Sequence, residues 1–337
     1  MGVKTNKEIV FTRKNHAEFL EGEYKKPSAD EVVVETVFST LSCGTEKANI
    51  TGNLGCPEPV EFPRKLGYSS AGIVVELGEN VTELALGDRV IVYWGTHSKY
   101  NTVYKKRAVK IDDDSISFQE AALAFIATFP LAAIRKTHFE IGESAIVMGL
   151  GLLGQLAIKL LKAAGAVPLI AVDPVEKRRK EALLSGADYA LDPCSEGFSR
   201  EVKTLTNGGA NVAIEVTGVG QGLDNALDCM ARFGRVSLLG CTRDKNFTID
   251  YYNKVHVPGI TLVGAHTRAR PNFESHPGYF THEDDIRAVL KLCTGKRLDL
   301  LEMIKETYSP EICGEVYNRL IKDPEFPTVV QFDWSKV

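Results

Sequence analysis

The segment Ser144-Ala145-Ile146-Val147-Met148-Gly149-Leu150-Gly151-Leu152-Leu153-Gly154 decides the fold of this chain. It leads from an apolar strand, Ala145 to Met148, into a helix with periodic apolar residues, Gln155 to Ala164. In this G-x-G-x-x-G pattern Gly149 permits a tight turn, Gly151 lets the backbone approach a pyrophosphate, and Gly154 lets helix and strand pack closely. The helix N-terminus favours an anion because its first N–H groups are unpaired. The segment therefore predicts a dinucleotide site, and a glycine-rich turn without a ligand is the alternative.

The next strand completes a βαβ unit and carries the cofactor prediction. It runs from Pro168 to Val172 and is followed by Asp173, 19 residues after Gly154. A carboxylate at this spacing hydrogen-bonds the ribose of NAD and repels the 2′-phosphate of NADP. We therefore predict NAD as the cofactor. Three basic residues one turn further keep NADP as an alternative: Lys177, Arg178 and Arg179.

Composition favours a cytoplasmic enzyme of about two domains. The chain has 337 residues, of which 44% are hydrophobic and 25% charged, enough for more than one core. Its net charge of −4 provides no basic field for nucleic acid, and the sequence contains no apolar stretch long enough to span a membrane. The N-terminal residues lack the apolar run of a secretory signal. The seven cysteines include no C-x-x-C pair, so we expect reduced thiols.

Hydrophobic patterns divide the chain into two regions. Short β-branched runs at 32–37, 72–78 and 86–92 predict a compact β-rich domain. From about residue 120 strands and helices alternate, which predicts a mostly parallel, doubly wound α/β sheet. The strands expected in that sheet are Ala145 to Met148, Leu169 to Val172, Val212 to Glu215, Arg235 to Leu239 and Thr261 to Val263. A helix from Asp284 and a strand from Thr328 to Phe332 are expected to return to the first domain.

Three motifs that precede the glycine loop carry a family resemblance. They are Cys43-Gly44-Thr45-Glu46, Gly67-Tyr68-Ser69-Ser70-Ala71-Gly72-Ile73-Val74 and Gly87-Asp88-Arg89-Val90. Their order resembles the medium-chain dehydrogenase/reductase superfamily, which includes the zinc alcohol and polyol dehydrogenases. The resemblance implies a GroES-like catalytic domain over 1–122 and 290–337, a Rossmann domain over 123–289, and a substrate cleft between them. It also implies a homodimer or homotetramer, with dimer contacts at the sheet edge near Thr261 to Val263.

The resemblance also implies which residues line the cofactor. Loops at the carboxyl ends of the later strands are expected there, as in other open α/β sheets. Together with the glycine loop, the predicted cofactor-binding residues are Gly149, Gly151, Leu152, Leu153, Gly154, Asp173, Arg178, Thr128, Thr217, Gly240, Cys241, Gly264 and Ala265.

The chain departs from the family pattern at the metal. Zinc alcohol dehydrogenases hold the catalytic ion with two cysteines and a histidine. Cys43 stands at the first ligand position, but Tyr68 replaces the histidine and Ala124 the third ligand, while Ser69 replaces the glutamate after the histidine. The segment Trp94 to Tyr100 runs straight on where zinc members insert a cysteine-rich lobe. One ligand cannot hold a tetrahedral ion, so we expect no metal and a zinc-lacking branch.

Without a metal, another group must handle the proton of the alcohol. Tyr68 is the first candidate, because its phenol donates and accepts hydrogen bonds; a packed aromatic filling the metal position is the alternative. Thr45 is the second, and His97 is the third, with a solvated loop histidine as its alternative. Cys43 is the last, either catalytic or a leftover ligand position without a task.

The segment His266 to His282 is expected to form a long loop beside the nicotinamide. Its basic, amide and aromatic side chains suit a hydroxyl-rich or anionic substrate. The predicted substrate-binding residues are His266, Arg268, Arg270 and, from the segment before residue 100, Lys99. A loop used for subunit contact and a displaced metal site at its histidines are the alternatives.

Taken together, these features predict an NAD-dependent oxidoreductase that interconverts a secondary alcohol and a ketone on a sugar-like or polyol substrate, without catalytic zinc. One alternative is a zinc-independent reductase of an activated C=C bond, such as an enone or quinone. Another is a protein that binds NAD(H) without catalysis.

Overall fold

A computed structural model describes residues 5–53, 60–242 and 246–337. Cys56, one of the predicted reduced thiols, lies outside these residues. The six described cysteines are thiols rather than disulfides, and three of them are buried. The chain divides into two compact units, which we call the terminal unit, up to Ile126 together with Ile286–Val337, and the central unit, Ala127–Asp285.

The strands are β1 (Thr5–Arg13), β2 (His16–Glu23), β3 (Glu31–Leu41), β4 (Ser69–Leu77), β5 (Arg89–Tyr93), β6 (Tyr100–Tyr104), β7 (Ala108–Lys110), β8 (Ala145–Met148), β9 (Leu169–Val172), β10 (Tyr189–Leu191), β11 (Ala210–Glu215), β12 (Met230–Leu238), β13 (Thr261–Gly264), β14 (Glu306–Tyr308) and β15 (Val330–Asp333). The α-helices are α1 (Cys43–Ile50), α2 (Phe118–Lys136), α3 (Leu152–Ala164), α4 (Glu176–Leu184), α5 (Phe198–Leu205), α6 (Gly220–Asp228), α7 (His282–Thr294) and α8 (Cys313–Lys322).

The central unit is built on a parallel sheet with the strand order β10-β9-β8-β11-β12-β13. Counted from β8, this is the order 3-2-1-4-5-6 of the Rossmann fold. Apolar strand residues such as Ile146, Ile170 and Val236 form the core together with helix residues such as Leu223. The predicted α/β fold with a doubly wound parallel sheet is confirmed.

The terminal unit contains a mostly antiparallel sheet with the order β14-β15-β3-β4-β5-β7, in which β6 also pairs with β3. The strand β15 pairs with β3, with Val330 opposite Leu41, so the last part of the chain joins this sheet. A second apolar core includes Phe11, Tyr317 and Trp334. The GroES-like, β-rich class of this region is confirmed.

The helix α2 is the one described segment long and apolar enough, by length and composition, to cross a membrane. Its most apolar window is 72% buried inside the protein, as in a core helix.

Candidate active site

The glycine loop joins β8 to α3 in a conformation that requires glycine at two positions. Gly149 has a φ of +94°, in the left-handed region that side chains disfavour. A Cβ on Gly154 would lie 1.9 Å from the carbonyl oxygen of Gly149. The helix begins at Leu152 rather than at the predicted Gln155, so Leu152, Leu153 and Gly154 form its first turn.

The N-terminus of α3 is left open at Gly151. This residue caps the helix, and no side chain makes a capping hydrogen bond there. A Cβ built on Gly151 meets no atom within 4 Å. Since the first N–H groups of a helix need acceptors, this open end of the helix fits a phosphate of a dinucleotide.

Asp173 ties the end of β9 to the glycine loop. Its carboxylate is 3% exposed; Oδ2 accepts a hydrogen bond from the backbone N–H of Leu150 at 2.9 Å, and Oδ1 accepts one from Val175 at 2.8 Å. Arg178 Nη1 lies 3.5 Å from Oδ2. A negative charge with a nearby arginine therefore stands beside the expected pyrophosphate site.

Glu215, which was not predicted as a site residue from the sequence, holds the loop after β11 by hydrogen bonds. Its buried carboxylate accepts hydrogen bonds from the backbone N–H groups of Thr217 at 2.8 Å and Gly218 at 3.2 Å, and burial raises its pKa. A Cβ on Gly240 would lie 2.5 Å from the nitrogen of Gly218, so the loops after β11 and β12 pack closely. Cys241 is exposed on the second loop. The sequence signal that could have identified Glu215 is an acidic residue at the carboxyl end of a predicted parallel strand.

The predicted role of Arg270 toward a substrate stays a prediction, and the structure places its side chain in the interior. The side chain is 3% exposed, its guanidinium forms an ion pair with the fully buried Asp285, and it donates to the carbonyl oxygen of Thr128. Arg135 pairs with the same carboxylate. Because Arg270 is already paired with protein groups, it anchors the segment after β13 to Thr128, one of the predicted cofactor residues.

Lys136, also missed from the sequence, holds the turn that follows β13. Its buried amine donates to the carbonyl oxygens of Gly264, at 3.2 Å, and Ala269. These two carbonyls flank Ala265, His266 and Arg268, so both ends of the turn are fixed. His266 and Arg268 are exposed, and the N–H of Arg268 donates to His266 Nδ1 at 3.2 Å. Partial burial of the His266 ring lowers its pKa, and the charges of Arg268 and Lys136 lower it further.

Tyr68 precedes β4 in the terminal unit. Its hydroxyl donates a hydrogen bond to Ser42 Oγ at 2.6 Å, and its ring packs against Trp94 and Phe125, with centroids 5.4 and 6.0 Å away. Burial raises the pKa of the phenol to about 12, although hydrogen bonds with Ser42 and Thr45 oppose the shift. Tyr68 is therefore protonated at neutral pH.

The residues at the family's metal position do not fit a catalytic zinc ion. Cys43 Sγ lies 3.6 Å from the carbonyl oxygens of Pro327 and Thr328, Ser69 Oγ donates to a backbone carbonyl, and Ala124 has no donor atom. Across residues 5–53, 60–242 and 246–337, no group of three or more His, Cys, Asp or Glu side chains is arranged to hold a metal ion.

The interpretation of His97 as a solvated loop histidine is wrong, while its predicted catalytic role stays a prediction. The ring is 1% exposed, with Nδ1 2.7 Å from Ser39 Oγ and Nε2 3.2 Å from Glu46 Oε2. Both nitrogens are engaged by protein groups. His97 is therefore an interior residue of the terminal unit.

Lys99, also predicted to bind a substrate, is half-buried and has protein partners. Its amine donates to the carbonyl oxygen of Trp334 at 2.8 Å and lies 3.2 Å from the carboxylate of Glu35. These contacts connect it to β3 and to the end of the chain, and its role toward a substrate stays a prediction. The partners of Lys99 and His97 were not recognisable from sequence, because they lie far away along the chain.

Comparisons with known proteins agree with this architecture. Residues 28–121 match the family model described as alcohol dehydrogenase GroES-like domain, and residues 153–276 match the model described as zinc-binding dehydrogenase. D-guloside 3-dehydrogenase of Escherichia coli (strain K12) is 30% identical over 290 residues, covering 79% of this chain and 82% of the relative. L-threonine 3-dehydrogenase of Pyrococcus horikoshii is 30% identical over 282 residues, covering 74% and 79%.

Solved structures share the fold at lower identity. A short chain alcohol dehydrogenase from E. coli CFT073, complexed with NADH, has a TM-score of 0.84 at 18% identity and covers 98% of this chain and 100% of its own. A protein from Sinorhizobium meliloti 1021 bound to NADP has a TM-score of 0.81 at 19% identity, covering 98% and 99%. Both nicotinamide dinucleotides thus occur in structures with this fold.

Proposed function

The chain belongs to the medium-chain dehydrogenase/reductase superfamily of zinc-type alcohol dehydrogenase-like proteins, and on that premise we propose that it oxidises and reduces sugar-like or polyol substrates with NAD and without catalytic zinc. The family makes it an alcohol and ketone oxidoreductase that uses a nicotinamide cofactor. The proposal that no zinc takes part in catalysis rests on Tyr68. This residue is a protonated phenol, hydrogen-bonded to Ser42, at the position where zinc-dependent relatives have a zinc ligand.

The preference for NAD rests on the carboxylate of Asp173 beside the open end of α3. A bound nicotinamide supplies the site that accepts or donates the hydride. Asp173 places a negative charge where the 2′-phosphate of NADP would approach, and this favours NAD. Arg178, 3.5 Å from that carboxylate, is the feature that supports NADP as a second cofactor.

In this proposal Tyr68 transfers the hydroxyl proton of the alcohol substrate. The hydroxyl of Tyr68 donates its hydrogen to Ser42 Oγ, and its oxygen accepts the proton of an alcohol. In the same step the Tyr68 proton passes to Ser42 Oγ and the hydroxyl proton of Ser42 is released to water, so that each oxygen keeps one hydrogen. In the reverse direction the phenol donates its proton to the oxygen of a ketone and regains one from water through Ser42. A positioned hydroxyl of this kind contributes about 10²- to 10⁴-fold to the rate. Thr45, also hydrogen-bonded to Tyr68, is a second hydroxyl on this path.

Two residues of the central unit support a polar substrate. His266 and Arg268 are exposed on a turn fixed by Lys136, and they offer hydrogen bonds and charge to hydroxyl-rich or anionic groups. The name of the relative D-guloside 3-dehydrogenase refers to a sugar derivative, which is in line with such a substrate.

Turnover of NAD with a panel of sugars and polyols, in the presence of a chelator, tests the proposal. We expect NADH formation that the chelator does not reduce, from protein without stoichiometric zinc in elemental analysis. One zinc per chain, or activity lost to the chelator and restored by zinc, would contradict it. Reduction of enones alone with NADPH would instead assign a C=C reductase, and tight NAD binding without turnover would assign a non-catalytic NAD(H)-binding protein.

A further inference from the structure

A buried carboxylate at the start of α1 lies next to Tyr68 and has no role in the function proposed so far. Glu46 is fully buried, and it accepts hydrogen bonds from the backbone N–H of Ser42 at 2.9 Å and from the hydroxyl of Tyr317. His97 Nε2 lies 3.2 Å from its second oxygen. Its three partners come from the segment before α1, the segment before β6, and α8.

This carboxylate is ionised although it is buried. Burial by itself raises the pKa of Glu46, but the charge of His97 and the hydrogen bonds from His97, Tyr317 and Ser42 outweigh it, and the resulting pKa is below the ordinary value. Burying a charge stabilises a fold little, since desolvation offsets the attraction to its partners. The stability of the fold therefore gives no sufficient reason for a charge at this position.

The contact between His97 and Glu46 is itself held in a fixed orientation. His97 Nδ1 is 2.7 Å from Ser39 Oγ, which accepts a further hydrogen bond from Trp334 Nε1 at 2.8 Å. The ring of His97 also packs edge-on against Phe332, with centroids 5.3 Å apart. Glu46 is thus held by a histidine that has fixed contacts of its own.

Ser42 connects this cluster to the phenol. Its backbone N–H is bound by Glu46, and its hydroxyl oxygen accepts the hydrogen of Tyr68 at 2.6 Å. A small rotation of Ser42 would therefore break the bond that orients the Tyr68 hydroxyl. Displacements of about 1 Å in a reacting group cost about 10²-fold in rate.

We propose that Glu46 is a positioning residue for Tyr68: its carboxylate, held by His97 and Tyr317, fixes Ser42 so that the Tyr68 hydrogen points to Ser42 and its lone pair faces the reacting oxygen. The inference rests on the proposed function, in which Tyr68 handles the proton. Glu46 touches neither substrate nor cofactor in this scheme. It acts through Ser42.

The first test needs no substrate. In protein labelled with ¹³Cζ-tyrosine, the resonance lost in Tyr68→Phe identifies Tyr68, and we expect Glu46→Gln to move that resonance. Glu21→Gln, at an exposed carboxylate bonded to Lys7, is the matched control and should leave it in place. A Tyr68 resonance that is unchanged in Glu46→Gln would overturn the inference. If Glu46→Gln does not fold, Tyr317→Phe is the second variant, because it removes one hydrogen-bond donor to Glu46. We expect it to move the Tyr68 resonance by a smaller amount, and an unmoved resonance would also overturn the inference.

The second test is a double-mutant cycle in turnover with the best sugar or polyol of the panel. We expect Glu46→Gln to lower kcat at least tenfold, with the Kd for NADH unchanged, and to have no further effect in a Tyr68→Phe background. Additive losses would show that Glu46 acts independently of Tyr68 and would refute the inference. Near-normal turnover of Tyr68→Phe would instead remove the proton role of Tyr68 from the proposed function, while the resonance test still reports on positioning.

Discussion

At the scale of single residues, the proposed chemistry depends on a phenol that stays protonated. The pKa of Tyr68 is raised to about 12, so a phenolate is rare at neutral pH, and the proposal makes the residue a hydrogen-bond donor and proton relay. The proposal differs in this from a metal-dependent mechanism, in which a Lewis acid stabilises the alkoxide. It therefore requires the hydroxyl of Tyr68 rather than its ring.

Removing that hydroxyl should separate catalysis from cofactor binding. We expect Tyr68→Phe to lower kcat by well over tenfold while the Kd for NADH, measured by fluorescence titration, stays the same. Tyr104→Phe, at an exposed tyrosine of the same unit, is the control and should retain full turnover. A near-normal kcat in Tyr68→Phe would assign the aromatic ring a packing role only.

The charge of Asp173 is the second feature at this scale. We expect Asp173→Asn, which keeps the shape but removes the charge, to move the ratio of Kd values for NADH and NADPH toward NADPH by about tenfold, equivalent to ~1.4 kcal/mol. Asp188→Asn is a matched control, because its carboxylate also accepts a backbone N–H, that of Leu169 at the opposite end of β9. An unchanged ratio in Asp173→Asn would show that this carboxylate only supports the loop.

At the scale of elements, the sequence predicted the bounds of a strand correctly where the residues of one short segment define that strand. The strands β8 and β9 have the predicted bounds, because short apolar runs flanked by turn residues define them. The helix α3 starts three residues early, since a glycine cap gives no side-chain signal of a helix start. The strand β10, only three residues long, was missed for lack of length.

The residues of the candidate site also differ in how well the sequence predicts them. The glycine loop and Asp173 follow one another along the chain, and a local pattern found them. The cluster around Glu46 was not predictable, because His97 is 51 residues away and Tyr317 is 271 residues away. Residue type alone also gave no sign that Arg270 is buried, because the sequence does not show that Asp285 pairs with it in the interior.

Two glycines of the loop should respond differently to the same methyl group. Gly154→Ala would place a Cβ 1.9 Å from a carbonyl oxygen, so we expect a lower Tm from overpacking that costs about 1–3 kcal/mol. Gly151→Ala meets open space, so we expect an unchanged Tm but weaker binding of NADH. Thermal denaturation and fluorescence titration measure the pair. Unweakened NADH binding in Gly151→Ala would contradict a pyrophosphate at this helix end.

At the scale of the whole molecule, one edge of the central sheet is suited to a second copy. The strand β13 pairs only with β12, so its outer backbone groups have no strand partner in the described sheet. Leu262 on this strand is exposed, as are Phe233 and Val257 near its start, where the N–H of Phe233 donates to the carbonyl oxygen of Pro258. Exposed edge strands with apolar neighbours are sites of association.

We therefore predict a homodimer in which β13 meets β13 of a second copy about a two-fold axis. Light scattering of the purified 37.0 kDa chain should give twice that mass, and a homotetramer would add a second interface. Leu262→Lys should shift the mass toward the monomer, because it places a charge between the paired strands. Leu184→Lys, at the exposed last residue of α4, should keep the oligomer. A Leu262→Lys protein with unchanged mass would place the subunit contact elsewhere.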